Sequence, residues 1–125
     1  MRLSRAVRAA LLALPVAACT TPPIAPGVPR VVDRVVIAPY QSHDECTRLA
    51  RGDHLDWRYE STEPVTFSIH YREDNAVLSP VVREHSTTDA GSFEARLVQE
   101  YCLTWESGPP GAIIGYRLLV RPAAR

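Results

Sequence analysis

From His54 to Arg121, apolar residues fall on every second position in one segment after another, and that period restricts the chain to strands. In His54–Ser61, Leu55, Trp57 and Tyr59 alternate with Asp56, Arg58 and Glu60. In Val65–Tyr71, Val65, Phe67, Ile69 and Tyr71 alternate with Thr66, Ser68 and His70, and Arg72 follows. Gln99–Glu106 groups Tyr101, Leu103 and Trp105; Ala112–Arg121 groups Ile114, Tyr116, Leu118 and Val120; Ser92–Val98 groups Phe93, Ala95 and Leu97. Side chains along a strand point alternately to its two faces, so each run offers one apolar face to a core and one polar face to water.

Punctuation between the runs supports the same reading. Arg51-Gly52-Asp53, Glu73-Asp74-Asn75, Ala90-Gly91 and the Pro/Gly stretch Ser107–Gly111 read as turns or loops. Pro80 marks an edge or a bulge in Ala76–Val82, and Arg83–Thr88 is polar. Upstream, Val31, Val32, Val35, Val36 and Ile37 form a β-branched segment that ends near Pro39. A helix fits only around Ser42–Arg51, where a strand is the preferred reading. The expectation is an all-β domain over residues 31–125, a single antiparallel sandwich of about seven to nine short strands. Trp57, Tyr59, Phe67, Tyr71, Tyr101 and Trp105 are assigned to its core and not to a ligand platform.

The N-terminus carries an address. Arg2, Arg5 and Arg8 precede a short apolar run, Ala9–Ala18, interrupted by Pro15. This is a secretory layout, and the run is about half the ~20 residues a spanning helix needs. Val16-Ala17-Ala18-Cys19 resembles a bacterial lipobox, which implies cleavage after Ala18 and lipidation of Cys19. Several acyl chains on one residue would anchor the protein lastingly, where one chain would not. Thr20 and Thr21 follow, with no Asp, so sorting to the outer membrane of a Gram-negative envelope is expected. Residues 1–18 are thus read as signal peptide and 19–30, rich in Pro22, Pro23, Pro26, Gly27 and Pro29, as a semi-rigid lipidated tether.

Composition excludes several classes. All 14 Lys+Arg are arginine, so no lysine-dependent chemistry and no P-loop exists. The same 14 are matched by 14 Asp+Glu, and no basic patch points to nucleic acid. With Cys19 assigned to lipid, Cys46 and Cys102 remain. In an oxidising envelope, two thiols of one small domain pair readily, and a loop this long would gain about 4 kcal/mol by chain entropy. The competing reading is that one or both bind metal.

A family resemblance rests on Cys46, Arg51-Gly52-Asp53-His54-Leu55, Tyr59-Glu60-Ser61, Pro64–Tyr71, Gly91-Ser92-Phe93 and Glu100-Tyr101-Cys102-Leu103-Thr104-Trp105. Over roughly Asp44 to Val120 the chain resembles the GOLD (Golgi dynamics) domain. The resemblance implies a β-sandwich, a Cys46–Cys102 disulfide and an interaction module facing a protein or a lipid. It departs from the family at Glu106, where asparagine is usual, and in lacking a following coiled coil and membrane helix.

No enzymatic motif is present. Ser68 and His70 share a strand face, but no nucleophile elbow surrounds them. The histidines are His43, His54, His70 and His85, and there is neither H-E-x-x-H nor C-x-x-C. The expected function is that of a membrane-anchored, non-catalytic interaction module without cofactor, bound to the membrane through Cys19 and to an envelope protein or ligand through a polar face bearing Arg58, Glu60, His70 and Arg72. The alternative is a periplasmic metal-binding protein using His43, Cys46, His54 and His70.

Overall fold

The computed structural model describes residues 10–13 and 22–124. The lipobox and Cys19 lie outside the described residues. Six strands and no helix form the described chain: β1 (Arg30–Ile37), β2 (Ser42–Leu49), β3 (His54–Glu73), β4 (Ala76–Glu94), β5 (Gln99–Ser107) and β6 (Ala112–Arg121). All pair antiparallel in one sheet of order β1-β6-β3-β5-β2, with β4 on β3.

The expected count of short strands falls to six because two pairs of segments are continuous. His54–Ser61 and Val65–Tyr71 are two halves of the 20-residue β3. Ala76–Val82 and Ser92 onward are two ends of the 19-residue β4. The first half of β3 takes β6 as neighbour, from His54↔Arg121 to Ser61↔Ile114, and the second takes β5, from Val65↔Ser107 to His70↔Cys102. Between them the β3–β4 register shifts from Glu60↔Thr88 to Val65↔Ser86, so Ser61–Pro64 oppose Thr87 alone. Surplus residues on one strand bend it and sharpen its twist. Here they curl the sheet, so that inner side chains of β5 meet those of β6: Trp105 stacks on Tyr116 with ring centroids 4.5 Å apart.

The core is what the alternation implied. Leu55, Trp57, Tyr59, Val65, Phe67, Ile69, Tyr101, Leu103, Trp105, Ile114, Tyr116, Leu118 and Val120 are all buried, and Tyr71 packs against them half-buried. Tyr59, Phe67 and Trp105 form its centre, with centroid separations of 5.1 Å (Tyr59–Phe67), 5.3 Å (Phe67–Trp105) and 6.1 Å (Tyr59–Trp105). Ile24 also belongs to this core, and the Gly27 amide donates to the Val120 carbonyl at 2.8 Å. The Pro-rich segment is therefore docked on the domain from at least Ile24.

Two local expectations fail for identifiable reasons. Leu97 is exposed, because β4 ends at Glu94 and Ser92–Val98 is not one strand. Ala90-Gly91 is not a turn; both residues lie within β4, and Gly91 pairs with Trp57. A Cβ on Gly91 would stand 2.4 Å from Trp57 Cζ2, so glycine is there to admit the indole. Gly91→Ala is expected to lose about 1–3 kcal/mol of stability by overpacking, read as a lowered urea midpoint at unchanged m-value. The hairpin at Asp74-Asn75 forms as expected, with Asp74 at φ 53°.

Candidate functional site

The bend in β3 decides where each candidate residue lies. Arg58 and Glu60 are exposed on the outer face of the β6 half, where Arg58 stands between Arg117 and Ala90. A groove of about 500 Å³ between β1, β6 and β3 passes Arg58, Glu60 and Arg117. His70 and Arg72 project from the outer face of the β5 half, beyond the bend. The four residues foreseen as one partner surface thus lie on the outer face of β3 as two pairs, one on each side of the bend.

The metal-ligand set is dispersed as well. In β2, Glu45, Thr47 and Leu49 are buried while Asp44, Cys46 and Arg48 are exposed. His43 shares the inner side with Glu45, and Cys46 points outward. His54 lies at the far end of β3, opposite Glu94 and Arg121. Among the described residues, the ligand-type group that does converge is Cys46, Glu100 and Cys102, and both of its sulfurs are in a disulfide. Cys46 and Cys102 are bonded, their Cα atoms 4.0 Å apart, and they are register partners on β2 and β5. The disulfide therefore spans neighbouring strands on the outer face instead of crossing the core.

An interior polar cluster was not foreseen. Glu45, 5 % exposed, accepts from the Arg30 guanidinium through one carboxylate oxygen and from the Tyr116 hydroxyl through the other. Tyr116 Oη is also 3.0 Å from His43 Nε2, and the His43 ring lies 5.9 Å from Trp105. Arg30 belongs to β1 and Glu45 to β2, the two ends of the strand order, so this ion pair closes the curled sheet along one side. An inward-pointing charge on an edge strand also discourages pairing with other chains. Alternation in Ser42–Leu49 was the available signal. It was obscured because Cys46 and Leu49, an odd number of positions apart, cannot share a face.

Burial and the hydrogen bond to Glu45 push the Tyr116 hydroxyl well above the ordinary tyrosine pKa; burial also raises Tyr59 and Tyr101. A raised folded-state pKa contributes stability that is whole below the unfolded value and lost as pH rises past it. Stability is therefore expected to be insensitive to these groups below pH 10.0, the ordinary value, and to fall above it. Tyrosinate absorbance should rise together with loss of the far-UV strand signal. Full ionisation with that signal intact would contradict the assignment.

On the opposite side the sheet stays open. β4 pairs only with β3, and of its 19 residues only Val81 is buried. Its other edge has no strand partner among the described residues. Beside it a groove of about 650 Å³ is lined by Tyr71, Val81, Phe93, Leu97 and Tyr101 among others, with Tyr101 ring centroids 5.2 Å from Tyr71 and 5.3 Å from Phe93. Leu97 lines this groove and is exposed, and Val77 and Val82 are exposed on the outer face of the same strand β4. No protein-family model matches the chain, and no curated protein matches it in sequence.

Proposed function

We propose that this chain is a lipid-anchored cell-envelope protein whose domain binds, without catalysis, an extended segment of another envelope protein along the free edge of β4. The observation that carries the binding reading is the long unpaired edge beside an aromatic groove. An extended segment satisfies such an edge by main-chain hydrogen bonds, and its alternate side chains enter adjoining pockets. The curled sheet is read as a variant of the sandwich architecture, and the GOLD-like resemblance contributes the expectation of a non-catalytic module. The groove past Arg58 and Glu60 lies where β3 is paired on both sides, so it offers no free strand edge.

The anchor reading rests on Arg2, Arg5, Arg8 and the Val16–Cys19 motif, and a domain disulfide suits an oxidising compartment. Thr20 and Thr21 favour the outer membrane. Four residues lie between Cys19 and buried Ile24, a reach of at most about 17 Å over the five steps. The domain would therefore sit close against the bilayer.

Two experiments test the two halves of this proposal. Cys19→Ser is expected to abolish palmitate labelling and release the protein from the membrane fraction; retention of both would sink the anchor. Peptides selected from a displayed library on the purified chain should have alternating apolar residues. They should lose about tenfold or more in affinity on Val82→Arg or Leu97→Arg, both at exposed positions. Selected binders indifferent to both changes but sensitive to Arg58→Ala or Arg72→Ala would move recognition to a polar face.

A further inference from the structure

The disulfide, its neighbours and its exposure make one arrangement that the binding role does not use. Cys46, Cys102 and His70 stand in a single row across β2, β5 and β3: Cys46 is the register partner of Cys102, and Cys102 that of His70. Tyr101 and Leu103 are buried inner residues of β5, as Ile69 is of β3. Cys102 and His70 therefore share the outer face, where directly opposed Cβ atoms are about 4.5–5.5 Å apart. Exposure is unequal along the row, with Cys46 exposed and Cys102 half-buried between its neighbours. Arg48, also exposed, follows Cys46 by two positions on the same face of the edge strand. A Glu100 carboxylate oxygen lies within 4.8 Å of both sulfurs, and Glu100 is the register partner of Arg48.

These positions give the two sulfurs different chemistry. An incoming thiolate can reach Cys46 from solvent over the edge strand, where the opposed charges of Arg48 and Glu100 offset each other. The leaving sulfur, Cys102, has an imidazole abreast, and a neighbouring imidazole N–H stabilises a thiolate. Exchange rates rise with access to the attacked sulfur and with the stability of the leaving thiolate. Both factors select the same polarity.

We infer that Cys46–Cys102 is an exchange-active disulfide that captures a thiol at Cys46 and releases Cys102 as a thiolate facing His70. The reductant is an external thiol. Its thiolate sulfur forms a new bond to Cys46 Sγ; the Cys46–Cys102 bond breaks, and its electron pair goes to Cys102 Sγ, which His70 or solvent then protonates. A second equivalent of thiol attacks the mixed disulfide, leaving Cys46 and Cys102 reduced and the two thiols joined as a disulfide. This inference is independent of the anchor and of the β4 edge.

The test treats the full chain, purified in detergent, with reduced glutathione at neutral pH. Products are trapped by alkylation and the adduct is mapped by peptide mass. The expected result is a single glutathione on the Cys46 peptide with Cys102 alkylated. His70→Asn, on the half-exposed outer face, should slow capture about tenfold and spread the adduct over both cysteines, while the chain's thermal midpoint stays unchanged. Capture at Cys102, equal division between the two sulfurs in the wild-type chain, or reduction only once the chain unfolds would overturn the inference. So would a His70→Asn variant with unaltered rate and site selectivity.

Discussion

Replacing Glu45 with alanine is expected to destabilise the domain by about 3–5 kcal/mol, the range for removing one member of a buried ion pair. The carboxylate side chain is 4 % exposed and serves Arg30 and Tyr116 at once. Its removal leaves the guanidinium, 18 % exposed, without its counter-charge in a poorly solvated seam. Tyr116 keeps His43 as a partner, so the Arg30 side carries most of the penalty. The damage should be local before it is global, because Arg30 and Glu45 tie the two ends of the strand order. Amide exchange in β1 and β2 should accelerate more than in β3. The double variant Arg30→Met with Glu45→Leu should recover much of the loss, since apolar groups of similar volume often replace a buried pair without cost. Urea titration of the three chains checks this. A loss under about 1 kcal/mol for Glu45→Ala would mean that the pair is screened as an exposed bridge is.

Trp105→Ala is expected to lose a similar amount, about 3–5 kcal/mol, for an unrelated reason. Trp105 is fully buried and is the largest such side chain in the core. It contacts the rings of Tyr59 and Phe67 from β3, Tyr116 from β6 and His43 from β2. Its removal opens a cavity where the two halves of the curled sheet meet, and strands on both sides would have to move to fill it. Trp105→Phe should cost clearly less. It retains most of the ring area, and Trp105 Nε1 is buried without a hydrogen-bond partner among the described residues, so no hydrogen bond is sacrificed. A phenylalanine variant as unstable as the alanine one would show that indole shape, not buried area, holds the halves together.

The interior and the candidate sites differed in how legible they were. Trp57, Tyr59, Phe67, Tyr101 and Trp105 were readable as core because each sits in a run with strict alternation. The Asp74-Asn75 hairpin was readable because turn-forming residues separate two such runs. Glu45 was not, because a carboxylate in a short polar strand ordinarily faces water; Arg30, 15 positions earlier, and Tyr116, 71 positions later, make its burial tolerable. Gly91 was misread as a turn residue because glycine marks both turns and close approaches, and only the position of the Trp57 indole tells them apart. The free edge of β4 was signalled only at Pro80, since a polar stretch such as Arg83–Thr88 looks alike in a loop and in an exposed strand.

The sequence by itself determined the strand period, the inward set of large side chains and the availability of two cysteines for one bond. These follow from residue type and local spacing, which a period of two expresses directly. Tertiary structure alone decided that β3 runs unbroken through Ser61–Pro64 and bends there. It thereby put Arg58 with Glu60 and His70 with Arg72 on opposite sides of the bend, joined β1 to β2 through a buried ion pair, and set Cys46, Cys102 and His70 in one outer row. Alternation specifies which side of a strand faces inward, but not which strand lies beside it or where a long strand folds over, because pairing depends on residues far apart in the chain.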